Sequence, residues 1–341
     1  MTKMNVSDLY DLATDALVGQ GMRNADASEI SKEFVIAEYV GTTTHGVGKL
    51  PSLNIGDLTA DPSIKLKGCV LNVNGNGGSG FLILRAVAER LSSTAREFGI
   101  CAASIRNFSR YSSLFPYTEI VARNGLIGVL MNSAGPAAVA PFGSKDPITG
   151  TNPICFSFPT SQGGVQTLDF STAEVVWGEI RQATLENRHV AANAFIDIDG
   201  KDATTPSAVT AVKAFGGPKG SALNLAIEVL AGLLPAGRGG LSVEDEFDCG
   251  ATFLALDPES FDAGPFFPDR VSDLLGEVRN SRPLRTGGEV RAPGDHQRTR
   301  IKIDEIPREE KVDVPDTVVA LLGRMAKGEK FAELSENPLY N

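Results

Sequence analysis

The chain is predicted to be a mixed α/β protein, α/β or α+β in class, built as two interleaved domains. Segments of strand composition alternate irregularly with segments of helical spacing, which suits mixed layers better than a regular βαβ series. At 341 residues the chain is too long for one small core, and roughly two domains are expected. A hydrophobic content of 42% with 22% charged residues is ordinary for a globular protein.

Each element has its own signal. Ser7 can cap a first helix carrying Leu9, Leu12, Ala13, Ala16 and Leu17 on one face, ended by Gly19 and Gly21. Asp26 or Ser28 opens a second helix with Ile30, Phe34 and Ala37. Cys69 to Val73 reads as a strand, followed by a Gly-rich turn and a helix from Phe81 to Glu97 closed by Gly99. Strands follow at Ile100 to Ile105 and, after the Asn124-Gly125 turn, at Leu126 to Met131. Loops rich in Gly, Pro and Ser run from Ala134 to Pro159 around a short strand at Ile154 to Phe158. Lys219 starts a helix with Leu223, Ala226, Ile227, Leu230 and Leu234 on its apolar side. Thr252 to Leu256 is a buried strand, Arg270 to Asn280 a helix, and Arg279 to Ile301 an irregular connection. A last helix lies near Asp316 to Ala326.

The net charge of −10, with no segment that concentrates Lys and Arg, argues against a nucleic-acid or membrane-surface role. The locally basic run Arg279 to Arg300 is broken up by Gly, Pro and Glu. A small anionic ligand suits this composition better than a polymer. Cys69, Cys101, Cys155 and Cys249 form no CxxC pair, so reduced thiols, a cytoplasmic location and no metal site are expected. The first residues lack the apolar region of a signal peptide, and no apolar run is long enough to span a membrane.

The most informative stretch is Glu38-Tyr-Val-Gly-Thr-Thr-Thr-His-Gly-Val-Gly-Lys-Leu-Pro51. It holds His45, one of three histidines, with a hydroxyl before it and a cation four residues after. The imidazole can give or take a proton near neutral pH. Thr44 can orient that ring and Lys49 can hold an anion, so the loop could bind a small carboxylate and protonate the atom beside it. Taken alone, a lone His is more often a surface residue than a catalyst. A second motif, Gly75-Asn-Gly-Gly-Ser-Gly80, fits GxGxxG between a strand and a helix. However, no acid stands near the end of the next strand, where a dinucleotide fold needs one for the ribose; Arg106-Asn107 stands there instead. With 36 glycines in the chain such a match arises easily, and a tight turn before a helix is the better explanation of it.

Several segments, in order and over nearly the whole chain, resemble the malate/L-lactate dehydrogenase family that is unrelated to Rossmann-type enzymes. They are Thr44-His-Gly-Val-Gly-Lys-Leu-Pro51, Gly150-Thr-Asn-Pro153, Leu168-Asp-Phe-Ser-Thr172, Gly217-Pro-Lys-Gly220, Phe253-Leu-Ala-Leu-Asp-Pro258 and Pro293-Gly294. Within the family the chain is most similar to the Δ1-piperideine-2-carboxylate/Δ1-pyrroline-2-carboxylate reductases. Tyr111-Ser-Ser-Leu-Phe-Pro116, Lys219-Gly-Ser-Ala-Leu223 and Glu179 carry that likeness, the hydroxyacid branch tending to have lysine at the last position.

The resemblance implies a non-Rossmann NAD(P)-binding domain on a largely antiparallel sheet, which makes the Gly75 to Gly80 match a decoy. It implies a helical and mixed domain of residues 1–106 plus 301–341 carrying the His loop, and an NADPH-binding domain of 107–300. It gives His45 the role of proton donor, with Thr44 and Glu179 in a relay that orients and recharges it. Lys49, Thr151, Trp177 and Gly178 would meet the substrate. The cofactor would be NADPH in preference to NADH, held by Arg110, Tyr111, Ser112, Ser113, Leu114, Asp169, Phe170, Ser171, Pro218, Lys219, Arg291, Pro293, Gly294 and Asp295. Lys219 also has an independent rationale, since a helix N-terminus favours phosphate.

There are departures. The reductases have histidine where this chain has Arg110, Trp177 and Pro218, serine where it has Thr44, and aspartate where it has Glu179. They have arginine where it has Lys49, which keeps the charge and loses the two-pronged geometry. The function implied is reduction of a small, cyclic 2-imino acid by NADPH in a homodimer. The alternatives are a 2-hydroxyacid dehydrogenase acting on C=O, and a member that binds a nucleotide or metabolite without turnover.

Overall fold

The computed structural model describes residues 1–39, 41, 43–52, 56–109, 111–185, 187–285, 287–295 and 309–329. Strand β1 (Thr2–Asn5) leads straight into helix α1 (Val6–Gly19), and α2 (Asn24–Tyr39) packs back against it. Asn5, and not Ser7, sits at the cap position of α1. Leu9, Ala13, Ala16 and Leu17 of α1 meet Ile30 and Phe34 of α2 in one buried cluster. That cluster is closed by the C-terminal end of the fold, strand β12 (Lys311–Val314) and helix α8 (Asp316–Ala326). β12 pairs antiparallel with β1, so segments far apart in the sequence share one layer. Two short 3₁₀ turns, Thr43–His45 and Val47–Ser52, follow α2 and rest on it.

The centre is a sheet of seven strands. β2 (Ser63–Lys67), β3 (Val70–Gly78), β4 (Ile100–Phe108) and β5 (Ile127–Asn132) come before the loop region, with α3 (Gly80–Phe98) between β3 and β4. Helix α4 (Phe115–Arg123) separates β4 from β5. After the two-residue strand β6 (Val139–Ala140) come β7 (Ile154–Pro159) and β8 (Val165–Phe170). Then follow α5 (Gly178–Leu185), β9 (Phe195–Ile196), β10 (Ala211–Lys213), α6 (Pro218–Ile227), β11 (Gly250–Leu256) and α7 (Phe267–Arg279).

The strand order is β2-β3-β4-β11-β5-β7-β8. Of its six pairings, only β3 with β4 is parallel. This is the mixed, largely antiparallel sheet that the resemblance implied, and it is not a doubly wound parallel one. Side chains alternate across it with the period of two that a strand imposes. Cys101, Ala103 and Ile105 of β4, Ala251, Phe253 and Ala255 of β11, Leu130 and Cys155 face α3 and α4. Met131 and Ile154 face the other way, against Ile227 of α6. Each large apolar side chain buried this way contributes about 1.5–3 kcal/mol by transfer alone. Residue 106 lies inside β4, whose neighbours β3 and β11 come from either side of that division.

A smaller sheet, β6-β10-β9, backs α5 through Val139, Ala183, Phe195 and Val212. Gly75 and Gly80 are there for packing, whereas Gly77 stands in open space at φ 76°. A Cβ at Gly75 would sit 2.4 Å from the Asn107 carbonyl oxygen, and one at Gly80 would sit 2.2 Å from that of Ser109. The Gly80 N–H donates to Ser109 Oγ at 3.1 Å, so the first amide of α3 is satisfied inside the protein.

Candidate active site

His45 ends the first 3₁₀ turn and Lys49 lies on the second. Gly46 N–H donates to Thr43 O and Lys49 N–H to Gly46 O, each at 3.0 Å, so the backbone closes on both sides of Gly46. The side chain of Thr44 lies outside the described residues. Glu38, in the last turn of α2, is 7% exposed, and its Oε2 accepts the Val47 N–H at 3.1 Å. Burial pushes its carboxyl up to about 7, a rise that the Val47 bond only partly offsets. The sequence reading assigned Glu38 no role. The acid in a stretch singled out for His45 was the available signal.

Helix α5 packs against the His45 turn, with Gly178 and Glu179 in its first turn and Trp177 just before it. Trp177 is 44% exposed. Glu179 is gripped by Arg188, with Nη1 2.6 Å from Oε1 and Nη2 3.2 Å from Oε2. Nothing in the local sequence marks Arg188 for this position. A cavity of about 440 Å³ opens beside it, lined also by Thr184, Asn187, His189 and Ser207.

The segment Asp169-Phe170-Ser171 at the end of β8 is the meeting point of the other motifs. Asp169 Oδ2 accepts the Leu114 and Phe115 N–H groups, both at 3.1 Å, and so caps α4 from a distant strand. Phe170 meets Phe215, just before α6, edge-on with ring centroids 6.2 Å apart. Ser171 Oγ donates to Thr151 O at 2.9 Å, as does Thr172 Oγ1. Asn152, at φ 39°, holds the same turn by donating to Glu228 Oε2 at 2.7 Å. Tyr111 through Leu114, Thr151 and the start of α6 therefore converge on one strand end. Arg110 lies outside the described residues.

Pro218 and Lys219 begin α6, where Lys219 is exposed. A cavity of about 710 Å³ opens there, lined among others by Phe142, Lys145, Lys213 and Gly217. The hydroxyls of Tyr111 and Ser112 are buried and have no hydrogen-bond partner among the described residues. Burial holds the Tyr111 phenol well above its usual range. A buried polar atom without a partner is costly, so Ser112 suits a site that a polar ligand completes.

The 291–295 loop docks further back along β8. Gln166 Nε2 donates to Pro293 O at 2.5 Å, and Arg279 grips Asp295 with two bonds of 2.9 Å. Gly294 has φ 92°, and a Cβ there would sit 2.1 Å from Thr167 O. Arg291 pairs with Glu289 at 2.9 Å. Gln166 precedes Asp169 by three residues, about 10 Å along a strand. Asp295 thus has a structural partner of its own.

The sequence matches the malate/L-lactate dehydrogenase family over residues 4–322. The chain belongs to that family. It is a nicotinamide-dependent oxidoreductase, as its named relatives are. It is 31% identical over 306 residues to an L-sulfolactate dehydrogenase of Methanocaldococcus jannaschii, covering 85% of this chain and 88% of that one. The solved structure of the sulfolactate dehydrogenase from that organism superimposes with a TM-score of 0.83 at 27% identity, over 97% of this chain and 99% of the other. A Δ1-pyrroline-2-carboxylate reductase of Burkholderia ambifaria is 32% identical over 240 residues, 68% of this chain and 70% of that one. A (2R)-3-sulfolactate dehydrogenase (NADP+) of Chromohalobacter salexigens is 28% identical over 335 residues, 94% and 97% of the two chains. No described helix of this family member is long and apolar enough to cross a membrane.

Proposed function

We propose that this protein is an NADPH-dependent reductase of a small, cyclic 2-imino acid. The observation that carries the reading is the packing of α5, whose first turn holds the acid Glu179, against the turn that ends in His45. Lys49 pairs with the substrate carboxylate and fixes C2 in place. A carboxylate near the site suits a substrate whose C=N bond takes up a proton. The bound nicotinamide supplies the hydride to C2. His45 gives its proton to the ring nitrogen and is oriented by Thr44 and Glu179. Trp177 and Gly178 line the wall beside the substrate, and Thr151 touches it.

For the cofactor, Ser112 offers a buried hydroxyl with no partner among the described residues, and the resemblance adds Tyr111, Ser113, Leu114, Asp169, Phe170, Ser171 and Pro218. Lys219 places a cation where α6 begins, in keeping with phosphate and with NADPH. Arg110, Arg291 and the Pro293 to Asp295 loop complete the set that the resemblance assigns. The assembly is a homodimer. Leu225, Val229, Leu233 and Leu234 form an exposed apolar stripe along α6 and its continuation, which a second copy would cover.

One observation favours a second reading, a 2-hydroxyacid dehydrogenase acting on a substrate with two acidic groups. Arg188 is a second cation on the α5 side. The deciding experiment follows NADPH consumption with Δ1-pyrroline-2-carboxylate and Δ1-piperideine-2-carboxylate beside pyruvate, oxaloacetate and 3-sulfopyruvate. Fastest turnover of a cyclic imino acid is expected. Fastest turnover of sulfopyruvate would move the assignment to the second reading, and no turnover of any acid would leave a binding protein.

A further inference from the structure

We propose that Glu38 is the positioning residue of the catalytic turn: its buried carboxyl, wedged under Gly46 and bonded to Val47, sets the direction in which His45 and Lys49 face their ligand. The inference rests on the reading of His45 and Lys49 given above. Three observations carry it. The Glu38 side chain comes from the last turn of a 16-residue helix, whereas the residues that it touches, Gly46 and Val47, lie at the junction of two short turns. Its oxygen bonds the backbone between His45 and Lys49, at Val47 N, 3.1 Å away. It also fills the space where a side chain at position 46 would stand. A Cβ on Gly46 would lie 1.9 Å from Glu38 Oε2 and 2.9 Å from its Cδ. Glycine between His45 and Val47 is therefore the steric counterpart of the acid eight residues earlier.

A buried carboxyl is an expensive way to fill space, since an apolar side chain of similar size would avoid its desolvation. What the carboxyl adds is a directional bond to one amide. That bond fixes the peptide plane one residue from the turn's centre, and with it the exit directions of the residues on either side. Misplacement by about 1 Å is enough to lower a rate about a hundredfold. Glu38 lies behind the turn and touches neither the substrate nor the cofactor in this account. It acts through His45.

The test compares Glu38→Ala, Glu38→Gln, Gly46→Ala and the double variant Glu38→Ala/Gly46→Ala. Readouts are kcat and KM with the acid that the wild-type enzyme reduces fastest, NADPH Kd, and the imidazole C–H resonances of His45, assigned with His45→Gln. Glu38→Ala should lower kcat by about tenfold or more, leave NADPH Kd within about twofold, and move the His45 resonances. Glu38→Gln keeps the acceptor and should stay within about threefold of wild type, with the resonances in place. Gly46→Ala should damage the wild-type background more than the Glu38→Ala background, because the second change removes the obstructing oxygen. Wild-type kcat and unmoved His45 resonances in Glu38→Ala would overturn the proposal, as would equal damage by Gly46→Ala in both backgrounds. If the wild-type enzyme reduces no acid, the functional reading fails, while the resonances and the Gly46 comparison by thermal unfolding still decide the role of Glu38.

Discussion

Arg188 holds the carboxylate of Glu179 from both sides, Nη1 on Oε1 at 2.6 Å and Nη2 on Oε2 at 3.2 Å. The same Nη1 also donates to the His189 carbonyl oxygen at 3.1 Å, which anchors the guanidinium to the loop after α5. The acid expected to recharge His45 is thus already one half of an ion pair. With side chains 38% and 20% exposed, the pair is partly screened and adds little to stability.

Its weight falls on specificity. Arg188→Met should leave kcat/KM for a cyclic imino monocarboxylate within about threefold, and lower it for 3-sulfopyruvate by about tenfold or more, one lost charge-assisted hydrogen bond. Steady-state kinetics with both substrates check this. An equal fall on both would mean that Arg188 acts through Glu179 on His45.

His45→Ala should lower kcat by about 10²–10⁴-fold, the usual contribution of a positioned general acid. NADPH affinity, measured by fluorescence titration, should stay unchanged. Wild-type turnover in this variant would remove His45 from the chemistry.

Lys49→Met should raise KM for the acid with little change in NADPH Kd. The loss of an ion-paired hydrogen bond corresponds to about 1.5–3 kcal/mol. An amide analogue of the substrate that reacts as well as the acid in the wild type would deny Lys49 this role.

Glu38 makes stability depend on pH in a predictable sense. Its carboxyl is raised from 4.5 to about 7, so the folded protein binds this proton more tightly than the unfolded chain does. The contribution is complete below about pH 4.5 and is lost as pH rises through about 7. Glu38→Gln removes it. Relative to wild type, the variant should gain stability between those two ends, by up to about 3 kcal/mol. Tm measured at several pH values shows it, and a constant difference would mean that Glu38 titrates normally.

Lys219→Ala should weaken NADPH more than NADH, by about tenfold in kcat/KM, or about 1.4 kcal/mol. Gly77→Ala lowers stability, because φ is 76° there, yet it should leave the cofactor ratio and NADPH Kd as they are. Cofactor binding lost only in Gly77→Ala would return the phosphate to the glycine turn.

Several elements were legible because their signals are local. The predicted helix near Asp316 to Ala326 is α8, and Gly99, read as the stop of the preceding helix, has φ 81°. The strand predicted at Thr252 to Leu256 lies within β11 and is buried on its core face by Phe253. The sequence predicts no helix at Phe115–Arg123, because α4 has no capping side chain of its own. Its cap is Asp169, 54 residues beyond Phe115. Strand β2, Ser63-Ile-Lys-Leu-Lys67, does alternate polar and apolar residues, but it is five residues long and exposed along its whole length, so its pattern marks no buried face. Glu38 looks like any helix acid until burial is known.

By itself the sequence determined the class of fold, the family and the residue types of the His45 turn, since these rest on spacing and on motifs a few residues long. Only the tertiary structure decided what faces what. It set Glu38 under Gly46, Asp169 on the end of α4 and Arg188 on Glu179, and it turned the Gly75 to Gly80 motif into a packing device. Burial and hydrogen-bond geometry between distant segments are properties of the folded chain. No local window of residues contains them.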